Sequence, residues 1–513
     1  MGIDLGTTNT CVATYVDERP VVIPNAEGTQ TMPSVVAYTE KGTVLVGASA
    51  RRQAVMNPTR TVHSVKRLMG QRPDAEIVAR LQPLLGYEVG ADERGQLVIR
   101  AGARDRSPIE VSAAILQAAK AAADEYFGEP CEAAVITCPA WFDESQRQAT
   151  MDAARVAGIE VLRIMNEPTA AALAYGTSQK RTGTLVVYDW GGGTFDCSVL
   201  ECSDGVLKVK ATRGDAFLGG DDVDEKVMGL LIDHFYRMHG VEVQGDPTAL
   251  QRLREASEGA KIELSSSHEA EIILPFLCTD STGPKHFEMT LNRQRFEQIV
   301  APFVKRTLEC CQKALQDAGI GPANVDDVLL VGGSTKMPYV QQAIAELFGK
   351  PARKGVNPDE AVALGAAIHA AALAGEADDV LLLDVLPLSV GLAEGDRFAA
   401  MLHRGSTIPT FRTDTFTTSR DYQSSVLIKV YQGEHSSVKE NRLIGSFRLE
   451  NLPPKRAGDM KIDVTFSVDA SGLLQVEARE AATGIKRAVQ VRDAMRLSEG
   501  EIQTLSRRLA EPA

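Results

Sequence analysis

The sequence contains no run of ~18 apolar residues, so it offers no segment able to cross a bilayer as a helix. It lacks a lysine and arginine tract: 55 basic against 68 acidic residues leave a formal charge of −13, the wrong sign for a protein whose main partner is nucleic acid. Its 8 cysteines, the adjacent Cys310 and Cys311 among them, fall in no CxxC or Cys/His spacing. That excludes a metal knuckle and leaves reduced, mostly buried thiols. The N-terminus enters a predicted strand directly, with no charged and apolar leader, so the expectation is a cytoplasmic protein without a signal peptide. No glycine turn carries the Lys-Ser/Thr of a Walker A loop, and none opens a helix as a dinucleotide fingerprint requires.

Two glycine turns of another kind are present. Tyr188-Asp189-Trp190-Gly191-Gly192-Gly193-Thr194-Phe195-Asp196 follows the apolar run 185–187 and leads into the alternating Phe195, Cys197 and Val199. It reads as two strands joined by a turn in which backbone N–H groups converge on an anion, with an aspartate at the strand end to hold hydrated Mg²⁺. A weaker copy stands at Ile3-Asp4-Leu5-Gly6-Thr7-Thr8-Asn9-Thr10. One such turn is ordinarily only a hairpin. Two, in matching strand contexts, point to a duplicated α/β fold gripping one nucleotide from both sides.

Between and beyond them the chain alternates strands and helices across two to four domains, since 513 residues exceed one core. Short strands are expected at 21–23, 35–38 and 44–46. Lys66 follows, and by itself reads as a solvated face residue. A helix from Pro108 is signalled by Ser107 as cap, Glu110 completing a capping box and Gly128 as its stop. Strand 134–137, helix 146–157 and strand 161–165 lead to Asn166-Glu167-Pro168-Thr169, which starts a helix ending at Gly176; Glu167 reads as a carboxylate aimed at the cleft where both hairpins end. Gly214-Asp215 and Gly219-Gly220-Asp221-Asp222 form a second glycine and acid cluster before helix 223–239. In helix 250–264, Glu258 and Lys261 read as a surface pair, and Gly259 costs about 1 kcal/mol against alanine, so a close approach is expected there. Strand 328–331 ends in Gly332-Gly333-Ser334-Thr335, and a closing helix is expected from Asn357 to Gly375.

After Gly375 the pattern changes. Asp378 and Asp379 precede an apolar run at 380–385, which is either a core strand or a docking strand at a domain boundary. Then Val426, Ile428 and Val430, and Ile462, Val464, Phe466 and Val468, alternate with polar residues between turn clusters, giving an antiparallel β domain. A last helix is expected at 497–509.

The motifs IDLGTTNT, VKRLMG, NEPTAAALAYG, YDWGGGTFD, GDAFLGGDD, LLVGGSTKMP, NPDEAVALGAA, VLLLDV and VYQGE, in that order, resemble the 70-kDa heat-shock chaperones of the DnaK type, over residues 2 to about 493. The resemblance implies an actin-like, duplicated ribonuclease H-like ATPase domain (1–377), a linker (378–386), a β-sandwich that binds extended apolar peptides (387–493) and a short helical stub of a lid (494–513). The short C-terminus is closer to the HscC-like branch. It implies ATP or ADP with Mg²⁺, K⁺ as a further cation, unfolded polypeptide clients, a J-domain co-chaperone and a nucleotide exchange factor, in a heat-shock and stress-response role.

By the same resemblance Gly6, Thr7, Thr8, Asn9 and Gly191, Gly192, Gly193, Thr194 hold phosphates, and Asp4, Asp189 and Asp196 position Mg²⁺. Lys66 and Glu167 orient the attacking water beside Thr194. Glu258, Lys261, Ser265, Gly332, Gly333, Ser334, Lys336 and Asp359 surround the adenosine. Pro139, Arg147, Leu382, Leu383 and Asp384 couple the domains, and Leu392, Phe416, Val426, Ile428 and Leu473 line the peptide groove. The sequence departs from the family at Lys336, where arginine is usual, at Asp221, where glutamate is, and at Trp141 and Trp190. The alternatives are an actin-fold small-molecule kinase, a non-catalytic nucleotide-binding co-chaperone and an actin-like filament protein.

Overall fold

The computed structural model describes residues 1–176, 182–203, 205–377, 381–482, 484, 486–490 and 497–510. Asp378, Asp379 and Val380 of the expected linker, and the expected boundary at 493/494, lie outside the described residues.

Two sheets of related topology make up the larger region. In the first, Gly2–Leu5 runs antiparallel to Asn9–Val16, which pairs with Arg19–Val22, while Ala133–Cys138 and Glu160–Asn166 add in parallel on the other side. In the second, Gly183–Trp190, Phe195–Ser203 and Val206–Asp215 repeat the antiparallel trio, with Asp327–Val331 parallel beside the first strand. The duplication inferred from two glycine turns is therefore present in the strand order. Asp4 and Asp189 are each the penultimate residue of equivalent strands.

Helices Glu167–Gly176 and Ala361–Ala374 cross between the sheets with almost no side chain separating them. A Cβ on Gly365 would lie 1.8 Å from the Ala170 carbonyl oxygen, and one on Gly2 would lie 2.2 Å from the Ala367 nitrogen. Only glycine admits backbones so close. The second helix starts at Ala361 rather than at Asn357, because the preceding turn is engaged elsewhere: the Pro358 carbonyl accepts the Gly332 N–H at 3.1 Å. Helix Glu144–Val156 begins earlier than expected, capped reciprocally by Asp143 and Gln146, and Pro247–Glu263 begins at an Asp246 cap. No close approach is found at Gly259, where an added Cβ would meet nothing within 4 Å.

The C-terminal region is a sandwich. Val390–Glu394, Arg397–Leu402, Val426–Gln432 and Arg442–Leu449 form one sheet; Thr410–Thr417, Lys461–Val468, Leu474–Glu480 and Lys486–Gln490 form the other. Ile462, Val464, Phe466 and Val468 are all buried between the sheets, as period-two alternation requires.

Strand Leu381–Val385 joins the two regions. It pairs in parallel with Val206–Asp215, Leu382 opposite Leu207, and antiparallel with Thr407–Ile408 of the sandwich. The apolar run is thus a strand added to the edge of the second sheet. The sandwich also touches the first lobe through polar groups: Arg442 pairs with Asp143 and donates to the Gly70 carbonyl at 2.8 Å, while Glu144 accepts the Leu474 N–H at 3.0 Å. The last helix, Glu499–Ala510, lies along Glu144–Val156, with Ile502 in the core of the first lobe and Ser506 Oγ donating to the Val156 carbonyl at 2.9 Å.

Burial at this junction pushes the Glu144 carboxyl up to about 8. A carboxyl whose pKa rises on docking favours docking fully below its free value near 4.5 and progressively less as pH climbs toward about 8. A fluorescence energy-transfer pair across the junction should therefore report a docked fraction that falls between about pH 5 and 8. Glu144→Gln, which keeps the acceptor and removes the proton, should flatten that profile.

Candidate active site

The two glycine turns face each other across a cavity of about 300 Å³. A Cβ on Gly192 would fall 1.8 Å from Thr8 Oγ1, one on Gly193 2.6 Å from Thr7 Oγ1, and one on Gly332, at φ +83°, 2.5 Å from the Trp190 carbonyl. The carbonyls of the central turn are all tied back. Gly191 accepts the Gly220 N–H at 2.9 Å and Ser334 Oγ at 3.1 Å; Gly192 accepts the Asp221 N–H at 2.8 Å; Gly193 accepts Arg67 Nε at 3.0 Å and Nη2 at 2.6 Å. In a trans peptide the following N–H points the opposite way. The turn therefore presents amides to the cavity, an arrangement suited to an anion.

Lys66 does not face solvent. It is buried and its Nζ lies 2.5 Å from Glu167 Oε1, a partner 101 residues away that no local pattern discloses. Burial alone would lower the ammonium pKa, but the Glu167 and Asp4 carboxylates outweigh it and raise it. Glu167 is the first residue of its helix, at the end of strand Glu160–Asn166. Beside it, burial and then the Glu167 charge push Asp4 up to about 7, and burial with neighbouring carboxylates raises Asp189 and Asp196 well above the usual range. Asp196 sits across from Asp189 in strand register, behind the cavity wall, and its buried Oδ1 has no partner.

So many carboxylates around one lysine fit a cation. No three acids, histidines or cysteines among the described residues converge to ligate a metal directly. The set therefore suits a hydrated ion such as Mg²⁺ held through its waters.

At the other end, Glu258, Lys261, Ser265, Gly332, Gly333, Ser334, Lys336 and Asp359 line the same cavity, as do Gly6, Thr7, Thr8, Asn9 and Thr194. The expected surface pair Glu258 with Lys261 does not form. Glu258 pairs with Arg51, and Lys261 lies 2.5 Å from Asp224, because each helix side chain finds a partner on another element. Lys336 pairs with Asp359. Sequence reasoning missed Arg67, which carries no local signal beyond its place after Lys66.

The residues expected to couple the domains lie together. Arg147 donates to the Phe142 and Ala140 carbonyls at 3.1 Å each, wrapping the buried Pro139 segment, then to Asn166 Oδ1 at 2.6 Å and the Ser471 carbonyl at 3.5 Å. Asp384 Oδ2 accepts from Thr169 Oγ1 at 3.2 Å; Leu382 is buried and Leu383 half-buried on the added strand. In the sandwich, Leu392, Ile428, Phe416 and Val426 share one core. Leu473 is not among them. Asp469 accepts the N–H groups of Ser471 and Leu473, and this tight turn delivers Leu474 to Glu144 at the junction. Ile462 lies directly across from Phe416 and is buried between the sheets, whereas Leu473 is half-buried at the turn.

Gly192→Ala forces a methyl onto Thr8 Oγ1 and should weaken ATP binding at least about tenfold, ~1.4 kcal/mol; unchanged affinity by calorimetric titration would remove Gly192 from the cradle.

The family model described as Hsp70 protein matches residues 1–513. With the duplicated sheets closing on two facing glycine turns and an antiparallel sandwich behind them, the chain belongs to the Hsp70 family, an actin-like ATPase domain followed by a β-sandwich.

Proposed function

We propose that the chain is an ATP-driven chaperone that binds extended apolar polypeptide segments in its sandwich and releases them when ATP docks the two domains. Hsp70 family members in general are ATPases that bind ATP or ADP with Mg²⁺, unfolded polypeptides and co-chaperones. In this reading residues 1–377 are the ATPase, 378–386 the linker, 387–493 the peptide-binding sandwich and 494–513 a helical stub, with a J-domain protein and an exchange factor as partners.

The observation that carries it is a continuous path from the cleft floor to the linker. Glu167, paired with Lys66, opens the helix whose Thr169 donates to Asp384, and the preceding Asn166 accepts from Arg147, which reaches the sandwich turn at Ser471. A change in what Glu167 pairs with, at the head of this stiff helix, is felt at both contacts.

The chemistry is in-line attack of water on the γ-phosphoryl group, where positioning and charge stabilisation supply most of the acceleration. Thr7 to Asn9 and Gly191 to Thr194 fix the phosphates. Lys66 and Glu167 hold the water, Lys66 by donating to it and Glu167 by accepting from it, and Thr194 borders the transferred group. Asp4 and Asp189, with Asp196 behind them, would hold a hydrated Mg²⁺, which would supply positive charge to offset the polyphosphate. In the sandwich, Leu392, Phe416, Val426, Ile428 and Leu473 form the apolar side of the groove. Burying one client leucine there contributes ~2 kcal/mol, which gives modest, exchangeable affinity. A small-molecule kinase on the same fold would leave the sandwich and its strand linker without a role.

Anisotropy of a labelled leucine-rich heptapeptide should show weaker, faster-exchanging binding with ATP than with ADP. Equal binding would disconnect the two domains, and none at all would favour the kinase reading. Lys66→Ala should lower turnover at least ~100-fold, the scale of one positioned proton-handling group, while ATP still binds. Leu382→Asp with Leu383→Asp should abolish stimulation of the ATPase by peptide; retained stimulation would count against the linker strand.

A further inference from the structure

Above the phosphate turns the lobes meet again around a cavity of about 120 Å³. Here His63, just before the segment that carries Lys66, faces Arg254 of helix Pro247–Glu263 in the other lobe, with Nε2 2.7 Å from Arg254 Nη1. A guanidinium only donates, so Nε2 accepts and the imidazole proton sits on Nδ1, 3.2 Å from Ser64 Oγ. Ser64 adopts φ +54°, a left-handed conformation uncommon for serine, and its hydroxyl donates to Asp221 Oδ2 at 2.9 Å. Asp221 belongs to the second lobe; its other oxygen lies 3.5 Å from Thr8 Oγ1 and its N–H holds the Gly192 carbonyl. The chain Arg254, His63, Ser64, Asp221 thus crosses the cleft twice and ends on the phosphate turns.

Resting on the nucleotide reading above, we propose that His63 is a positioning residue that holds the lobes closed over nucleotide, and that it does so only as the neutral imidazole. A second proton would set N–H against N–H at the Arg254 contact. Arg254 cannot swing aside freely, because its other nitrogen is bonded to the Leu84 carbonyl, and the Tyr87 hydroxyl fixes the His63 carbonyl at 2.5 Å. The surrounding charges do not welcome the proton either. Arg254, Glu255 and Glu258 face the cavity from their helix, Arg51 from Ala48–Gln53, Asp221, Asp224 and Glu225 from the start of Gly220–His239, and Arg67 from the His63 segment. Arg51 occupies Glu258 and Lys261 occupies Asp224, while Asp221 reaches the imidazole only through Ser64.

Burial, then the Arg254 and Arg51 guanidinium groups, lower the His63 pKa to about 3 in this closed arrangement. With the lobes apart it returns to about 6.5. A depressed base stabilises closure fully above its free pKa and loses that contribution as pH falls toward about 3, close to tenfold in the closing equilibrium for each unit.

Stopped-flow release of a fluorescent ADP analogue from the full chain is the test. Wild-type protein should release it about tenfold faster at pH 5.5 than at pH 7.5. His63→Gln, neutral at both, should lose that acceleration. Asp224, whose own carboxyl is pushed to about 7 nearby, is controlled by Asp224→Asn, which should keep it. Equal acceleration in wild type and His63→Gln, its loss in Asp224→Asn, or none in wild type would overturn the proposal; failure of wild type to bind the analogue at pH 7.5 would instead overturn the nucleotide reading. Should the glutamine variant not fold, ¹⁵N resonances of wild type decide: His63 should stay an Nδ1–H imidazole with ADP bound at pH 5.5, and an imidazolium there would sink the idea.

Discussion

The closeness of two helices governs the rest. Gly365 lies so near the Ala170 carbonyl that a methyl between them has no room, and the first strand is pressed against the second helix in the same way, Gly2 against Ala367. Backbones in contact over such small residues cannot slide without loss of packing on both sides. The helix pair therefore forms a stiff base, and rearrangement of the cleft has to occur above it. Glu167 begins one of these helices, and the turn that leads into the other is bonded to Gly332. The floor of the cavity between the glycine turns and one of those turns are thus both built on that base.

Above the base the dominant quantity is charge. Asp4, Asp189, Asp196 and Glu167 surround one lysine, and burial raises the aspartates out of their usual range. The protein holds these acids in an environment that disfavours their ionisation. A hydrated cation entering this cavity would relieve that repulsion, and its binding would be coupled to the protonation of the floor. The tied-back carbonyls of Gly191, Gly192 and Gly193 serve the opposite sign, orienting amides toward the cavity as an anion requires.

The junction with the sandwich is made of different material. It relies on an added strand, an arginine pair and single hydrogen bonds to Ser471 and Leu474, each contributing on the order of 1 kcal/mol. Such contacts exchange readily with water. A surface of this kind suits regions that separate and rejoin, whereas an apolar interface of the same extent would fuse them.

Turns, caps and alternation were legible in the sequence because they are local. Asp-Trp-Gly-Gly-Gly between two apolar stretches, Ser107 with Glu110, and the period-two run from Ile462 to Val468 each encode their conformation within a few residues, and the motifs carried the family. Partners far apart in the chain were not legible that way. Lys66 finds Glu167 across 101 residues, Arg67 finds the Gly193 carbonyl across 126, and Arg51 takes Glu258 from the neighbour its own helix offers. Leu473 and Ile462 are both apolar residues beside a turn, and only the folded strands bury Ile462 between the sheets while leaving Leu473 half-buried at the junction. Backbone preference is settled by a residue and its neighbours; which charges meet, and which apolar face turns inward, is settled by how the sheets and helices close on one another.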